Sequence, residues 1–332
     1  MSSNPEPDTV SLDTSFEATI QIQGRTYQQW AVEHGTSYGP VDEYERERQE
    51  TQHEIFKLVF DRKLIFPPVH NPRKILDCGY GSGSWATDVA MKYPHCDVIG
   101  VDISHHMMPD DPPPNLILQV DDLNEPFTFH SNEFDFIHSR NVVTGINKAR
   151  WPSYVRDCAR VLKPGGWLQM IEIYHNVQSD NGTMTDRHAL RELSTKFLSA
   201  SENSKDLRAP LALESFMRDV GMVDVAGRMI PLPLNGWSMN PKEREIGERF
   251  NYSYKAAMSG HMRIPLTERL HLTHSQFNDL IQRATEELDN LGLKPYVGLY
   301  ICIGVSSTVR TTEASYNSTN HLTRKTKPQE IT

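Results

Sequence analysis

The segment Lys74-Ile75-Leu76-Asp77-Cys78-Gly79-Tyr80-Gly81-Ser82-Gly83-Ser84-Trp85 runs apolar, ends in an acid, turns through three glycines at alternate positions and then starts a helix. Alternate glycines let a backbone bend sharply and approach a ligand where any Cβ would collide with it. The segment therefore commits this part of the chain to a strand, loop and helix built around a small molecule. Ser82 or Ser84 is placed to cap a helix over residues 85–92. A dinucleotide fingerprint needs its third glycine where this chain has Ser84, and a phosphate-binding loop needs Gly-Lys-Ser or Gly-Lys-Thr, which is missing.

The spacing downstream extends the pattern. Asp97-Val98-Ile99-Gly100-Val101-Asp102 reads as a second buried strand whose terminal acid, Asp102, stands where such folds place a ribose-binding carboxylate. Both of its oxygens can accept from a pair of vicinal hydroxyls, which an amide cannot do. Leu116 to Val120 forms a third run, closed by Asp121-Asp122-Leu123, and Phe134-Asp135-Phe136-Ile137-His138-Ser139-Arg140 a fourth. A helix ending in Leu162-Lys163-Pro164-Gly165-Gly166 leads to a fifth, Gly166 to Ile173. Alternating strands and helices imply a doubly wound α/β sheet with its ligand beyond the carboxyl ends of the strands, where these acids and glycines fall.

This pattern resembles the class I S-adenosylmethionine-dependent methyltransferases. The flanks narrow the resemblance to the LaeA-like fungal methyltransferases: Gly24-Arg25-Thr26-Tyr27, Tyr38-Gly39-Pro40-Val41-Asp42-Glu43-Tyr44-Glu45-Arg46-Glu47-Arg48, Gln52-His53, Phe134 to Arg140, Trp151-Pro152 and Leu162 to Leu168 are similar to that group's signature over residues 24–175. Tyr80 and Ser82 depart from it, as does His105-His106-Met107-Met108 after the ribose acid. The resemblance implies a Rossmann-like seven-stranded sheet, mostly parallel with the last strand antiparallel, carrying a helical N-terminal cap and a helical lid insertion.

The expected organisation is a disordered tail over 1–15, a helical cap over 16–66, a methyltransferase domain over 67–306 with a lid at about 237–293, and a second disordered tail over 307–332. A content of 38% hydrophobic residues in 332 is enough for a proper core. The four cysteines, Cys78, Cys96, Cys158 and Cys302, have no motif spacing and read as buried thiols, and no metal site is expected. A net charge of −9 without clustered Lys and Arg argues against nucleic acid. With no apolar span and no signal-peptide core, the expectation is a soluble cytoplasmic protein that does not engage membranes, or a nuclear one if it is regulatory. The expected partner is a small-molecule acceptor, with a protein partner or a homodimer left open.

The resemblance implies that Asp77, Gly79, Gly81 and Gly83 line the methionine half of S-adenosylmethionine and the adjoining ribose. Asp102 takes the ribose hydroxyls, Asp121 or Asp122 meets the adenine amino group, and Leu123 packs beside it. Tyr38 and Arg25 close over the methionine end, or dock the cap. His138, past the fourth strand, serves either as a general base or through cofactor contacts; Glu172 and His175 are the next catalytic candidates, then His261. Trp237, Met239, Phe250, Tyr252, Tyr254, Met258, His261 and Met262 suit a pocket for an organic acceptor, or pack the lid onto the sheet. The expected activity is methyl transfer to a small secondary metabolite at oxygen, the alternative a methyltransferase-fold nuclear regulator of secondary metabolism acting through protein partners.

Overall fold

A computed structural model describes residues 14–307. In chain order its elements are β1 (Thr19–Ile22), β2 (Arg25–Gln28), α1 (Gln29–Glu33), α2 (Glu43–Val59), β3 (Lys74–Cys78), α3 (Ser84–Lys92), β4 (Asp97–Asp102), β5 (Leu116–Val120) and β6 (Phe134–Arg140). Then follow α4 (Trp151–Val161), β7 (Leu162–Gln178), α5 (Ala189–Ser201), α6 (Leu213–Asp219), β8 (Val223–Pro233), α7 (Pro241–His261), α8 (His274–Leu288) and β9 (Tyr296–Val305). The expected tails lie outside the described residues apart from Thr14, Ser15 and Ser307.

Seven strands form one sheet in the order β5-β4-β3-β6-β7-β9-β8. Strands β3 to β7 pair in parallel, and β9 inserts antiparallel between β7 and β8. The central strands are covered on both faces, so they read as continuous apolar runs rather than alternating ones: Ile75, Leu76, Val98, Phe134, Phe136 and Ile137 are all fully buried. Helix α4 buries Trp151, Tyr154, Val155, Cys158 and Val161, the stripe of an amphipathic helix. All four cysteines are free and buried. Among the described residues no helix is long and apolar enough to cross a membrane.

Strand order reverses between β3 and β6, whose neighbours on either side are β4 and β7. At such a switch point the connecting loops diverge and leave a crevice at the carboxyl edge. Over it lies the N-terminal region, which is not purely helical as expected: β1 and β2 form a hairpin, with Thr19 opposite Gln28 and Ile22 opposite Arg25. Gln23 and Gly24 at its tip both have positive φ, 50° and 78°, the backbone that a two-residue hairpin turn requires.

Helix α2 ties this cap to the sheet. Asp42 caps it by accepting from the Glu45 N–H at 3.0 Å. The same carboxylate receives Arg25 at 2.7 and 2.8 Å. Further along, Ile55 and Phe56 enter the main core. Neither Ser82 nor Ser84 caps α3; the cap position is Gly83 in the left-handed conformation, φ 72°.

Candidate active site

A cavity of about 180 Å³ occupies the crevice. Its floor is the turn Gly79 to Ser82, with Asp102 to Ser104 and Asp122 to Asn124 from the ends of β4 and β5. Arg140 to Val142 and Thr144 to Ile146 follow β6, while Gly39 to Val41, Arg48, Gln49 and Gln52 come from the cap and His261 from the end of α7.

The turn is glycine at Gly81 because α2 presses onto it. Gly81 has φ +56°, and a Cβ there would stand 2.2 Å from Gln49 Oε1. That oxygen accepts the Ser82 N–H at 2.9 Å, and Gln49 Nε2 donates to Glu45 at 3.0 Å. Asp102 fixes the same turn from the other side, its Oδ2 accepting from Gly81 N at 2.9 Å and its Oδ1 from Ser104 N at 3.0 Å. Burial pushes its carboxyl up to about 6 against those two backbone donors. Each oxygen keeps acceptor capacity for a hydroxyl.

Arg140 supplies positive charge. Its Nη1 meets His53 Nδ1 at 3.3 Å and its guanidinium lies 5.2 Å from the centre of the Phe56 ring. His53 passes on to Asp88 at 3.0 Å. Among the described residues no carboxylate lies within 4 Å of Arg140, and desolvation lowers its pKa to about 10.

Several expected residues stand behind the wall rather than on it. Asp77 and His138 are buried and bonded to each other, Oδ1 to Nδ1 at 2.9 Å, with the imidazole stacked 3.7 Å from Trp85. Desolvation holds His138 down at about 4, so it is neutral, and with Nδ1–H donated to Asp77 its buried Nε2 has no partner. It is thus a poor candidate for a base acting on a ligand in the cavity. Glu172, fully buried, accepts from Val142 N at 3.0 Å and Val143 N at 3.1 Å, holding the loop after β6; burial pushes its carboxyl up to about 8. His175 lies edge-on to Phe197 at 5.7 Å, and desolvation lowers it to about 3. Neither reaches the cavity.

Asp122 and Leu123 line the wall, whereas Asp121 does not: its Oδ1 turns to the Asp122 N–H at 2.9 Å. Gly79 and Gly81 line it, and Gly83 does not. Tyr38 is also outside, its hydroxyl bonded to Arg269 and its ring 4.9 Å from that guanidinium. Arg25 is paired with Asp42 and joins the hairpin to the start of α2. Of the eight residues expected to make an acceptor pocket in the insertion, only His261 reaches the cavity. Phe250, Tyr254, Met258 and Met262 are buried in the main core, Met239 and Tyr252 are exposed, and Trp237 donates its indole N–H to Pro295 O at 3.0 Å.

The N-terminal signature contains Glu45 and Arg48, but sequence reasoning assigned these groups on α2 no role. Glu45 and Arg48 sit in a charged run that looks solvated, yet both are buried and form a bidentate pair at 2.7 and 2.8 Å. Lys205 was missed as well. Its ammonium donates to Thr36 O at 3.0 Å, Gly145 O at 2.6 Å and Asn147 Oδ1 at 2.7 Å, joining the cap to the loop after β6. It borders a cavity of about 10 Å³ that shares Gly39, Thr144 and His261 with the large one.

Residues 75–166 match the family model described as a methyltransferase domain. The chain is 29% identical over 273 residues to the secondary metabolism regulator LAE1 of Cochliobolus heterostrophus, covering 79% of this chain and 87% of that protein. It is 27% identical over 259 residues to the methyltransferase pytC of Aspergillus terreus, covering 75% and 78%. It is 25% identical over 281 residues to the protein-methionine methyltransferase laeA of Emericella nidulans, covering 84% and 74%.

Proposed function

Since the chain is a class I S-adenosylmethionine-dependent methyltransferase of the LaeA-like group, we propose that it methylates a small molecule of secondary metabolism at oxygen. The observation that carries this is the crevice at the switch point, where Asp102, the Gly79 to Ser82 turn and Arg140 converge on one cavity. The residues fit the cofactor. Asp102 has two backbone donors and spare acceptor capacity for ribose hydroxyls. The glycine turn is narrow enough that a Cβ at Gly81 would collide with α2. Arg140, a cation with no carboxylate paired to it among the described residues, suits the carboxylate of the methionine half. Asp122 and Leu123 border the adenine end.

S-adenosylmethionine supplies an electrophilic methyl group, and in-line transfer needs chiefly proximity and exclusion of water. The chain's own residues meet that need by holding the nucleoside from three strand ends and by closing α2 over the turn. Relatives named as methyltransferases, such as pytC, support methyl transfer as the activity. The second reading, a nuclear regulator working through protein, is favoured by relatives named as regulators and as a protein-methionine methyltransferase. Incubation with methyl-labelled cofactor and either a fungal metabolite extract or a nuclear extract separates the two. Label in an organic-soluble product supports the first; label confined to protein refutes it.

A further inference from the structure

We infer that His261 is the general base for the methyl acceptor, held in its working tautomer by Glu45, and that the acceptor is therefore a hydroxyl that must lose a proton. This rests on the small-molecule reading above and sharpens it. His261 ends α7, and its Nε2 lies 3.0 Å from Glu45 Oε1. Glu45 is 1% exposed and also accepts from Arg48 and Gln49. Burial raises its pKa, but Arg48 and His261 outweigh that and hold the carboxyl well below the usual range. An ionised carboxylate only accepts, so the neutral imidazole must carry its proton on Nε2 and present a lone pair at Nδ1.

Nδ1 has no hydrogen-bond partner among the described residues. The ring is packed against Gly39, where a Cβ would stand 2.8 Å from Cε1, and its side chain keeps 22% exposure. His261 faces the cavity that holds Asp102 and the glycine turn, and with Gly39 and Thr144 it forms the wall shared with the small cavity. An imidazole backed by a buried carboxylate and open at its other nitrogen is the arrangement of a general base. By contrast His138, also paired with a carboxylate, is sealed behind the turn.

In the step, the acceptor oxygen gives its proton to Nδ1 as it forms a bond to the methyl carbon. The carbon–sulfur bond breaks, its electron pair stays on sulfur as a neutral thioether, and the imidazolium that results is stabilised by Glu45 until it releases the proton to water. A thioether or carboxylate acceptor carries no such proton and would leave this dyad without a task.

The test has two arms on the full chain. In ¹⁵N-histidine-labelled protein with S-adenosylhomocysteine bound, the His261 signals are assigned by their loss in His261→Gln, and the expectation is a protonated Nε2 and a bare Nδ1. In single-turnover reactions with methyl-labelled cofactor and a fungal metabolite extract, His261→Gln keeps a donor for Glu45 but has no basic nitrogen, and transfer slows by about 10²–10⁴-fold. Affinity for S-adenosylhomocysteine, measured calorimetrically, stays unchanged, and imidazole restores part of the rate to His261→Ala. A proton on Nδ1, or wild-type transfer by the glutamine variant, overturns the inference. If neither protein labels a small molecule while both bind S-adenosylhomocysteine, the small-molecule reading fails by itself, and the tautomer alone decides for or against the dyad.

Discussion

Lowering the pH should weaken cofactor binding through one residue, Asp102. Its partly buried carboxyl stands at about 6 in the free protein, above an ordinary value of 3.8. Ribose hydroxyls donate to the ionised form, so the protonated fraction must give up its proton before binding. For a group at about 6, the ionised fraction at pH 5 is about one in eleven, and affinity falls about 11-fold from its plateau, close to 1.4 kcal/mol. Between pH 7 and 8 the effect is negligible. Calorimetric titration with S-adenosylhomocysteine from pH 5 to 8, in buffers of different ionisation enthalpy, should show nearly one proton released on binding at pH 5. Asp102→Asn should bind weakly with a flat profile, which separates Asp102 from other groups titrating in the range, such as Lys205 at about 7. The same raised carboxyl affects folding with the opposite sign: its contribution to stability is complete below about 3.8 and is lost as pH rises through about 6. A wild-type affinity that stays level down to pH 5 would refute the assignment of Asp102 to the ribose.

Gly81→Ala places a side chain in the left-handed region and 2.2 Å from Gln49 Oε1, so stability should drop by about 1–2 kcal/mol from the backbone alone and S-adenosylhomocysteine should bind more weakly; an unchanged melting temperature and Kd would count against the close fit of α2. Arg140→Gln should cost S-adenosylhomocysteine about 1.5–3 kcal/mol of binding while leaving adenosine, which lacks the carboxylate, unaffected; equal losses for both ligands would remove the proposed role. Glu172→Gln sets an amide N–H against one of the backbone donors it now accepts, and denaturant titration should show a loss of about 1–3 kcal/mol. Because the Glu172 carboxyl is raised to about 8 from an ordinary 4.5, wild-type stability attributable to it is full below about 4.5 and declines as pH rises through about 8, a slope that the variant should lack.

The sheet was legible because parallel strands buried on both sides announce themselves as apolar runs, the first three of them closed by acids. The last strand was expected to be antiparallel, and β9, Tyr296–Val305, pairs so with both its neighbours. The hairpin over Thr19–Gln28 went unread although Gln23-Gly24 between alternating residues carried the signal for a tight turn. In the insertion, Phe250, Tyr254, Met258 and Met262 recur every four residues, the spacing of one helix face, and that face turned out to be core. Asp102 could be found because a strand end fixes it one loop away from the glycines. His261 was a candidate by residue type alone, whereas the Glu45–Arg48 pair could not be picked out, because nothing local distinguishes a buried charge from a solvated one; their burial exists only once α2 and α7 lie against each other. The strand carrying His138 does end at the crevice, but the ring is paired with Asp77 and buried, which its position in the sequence does not reveal.

Helix α2 grips the hairpin through Asp42 at its start, touches the glycine turn through Gln49 in its middle and enters the core through Phe56 near its end. Ligand occupancy and cap attachment are thereby one thermodynamic event. Whatever loosens the hairpin and α1 should empty the crevice, and whatever fills the crevice should protect those elements from exchange and proteolysis.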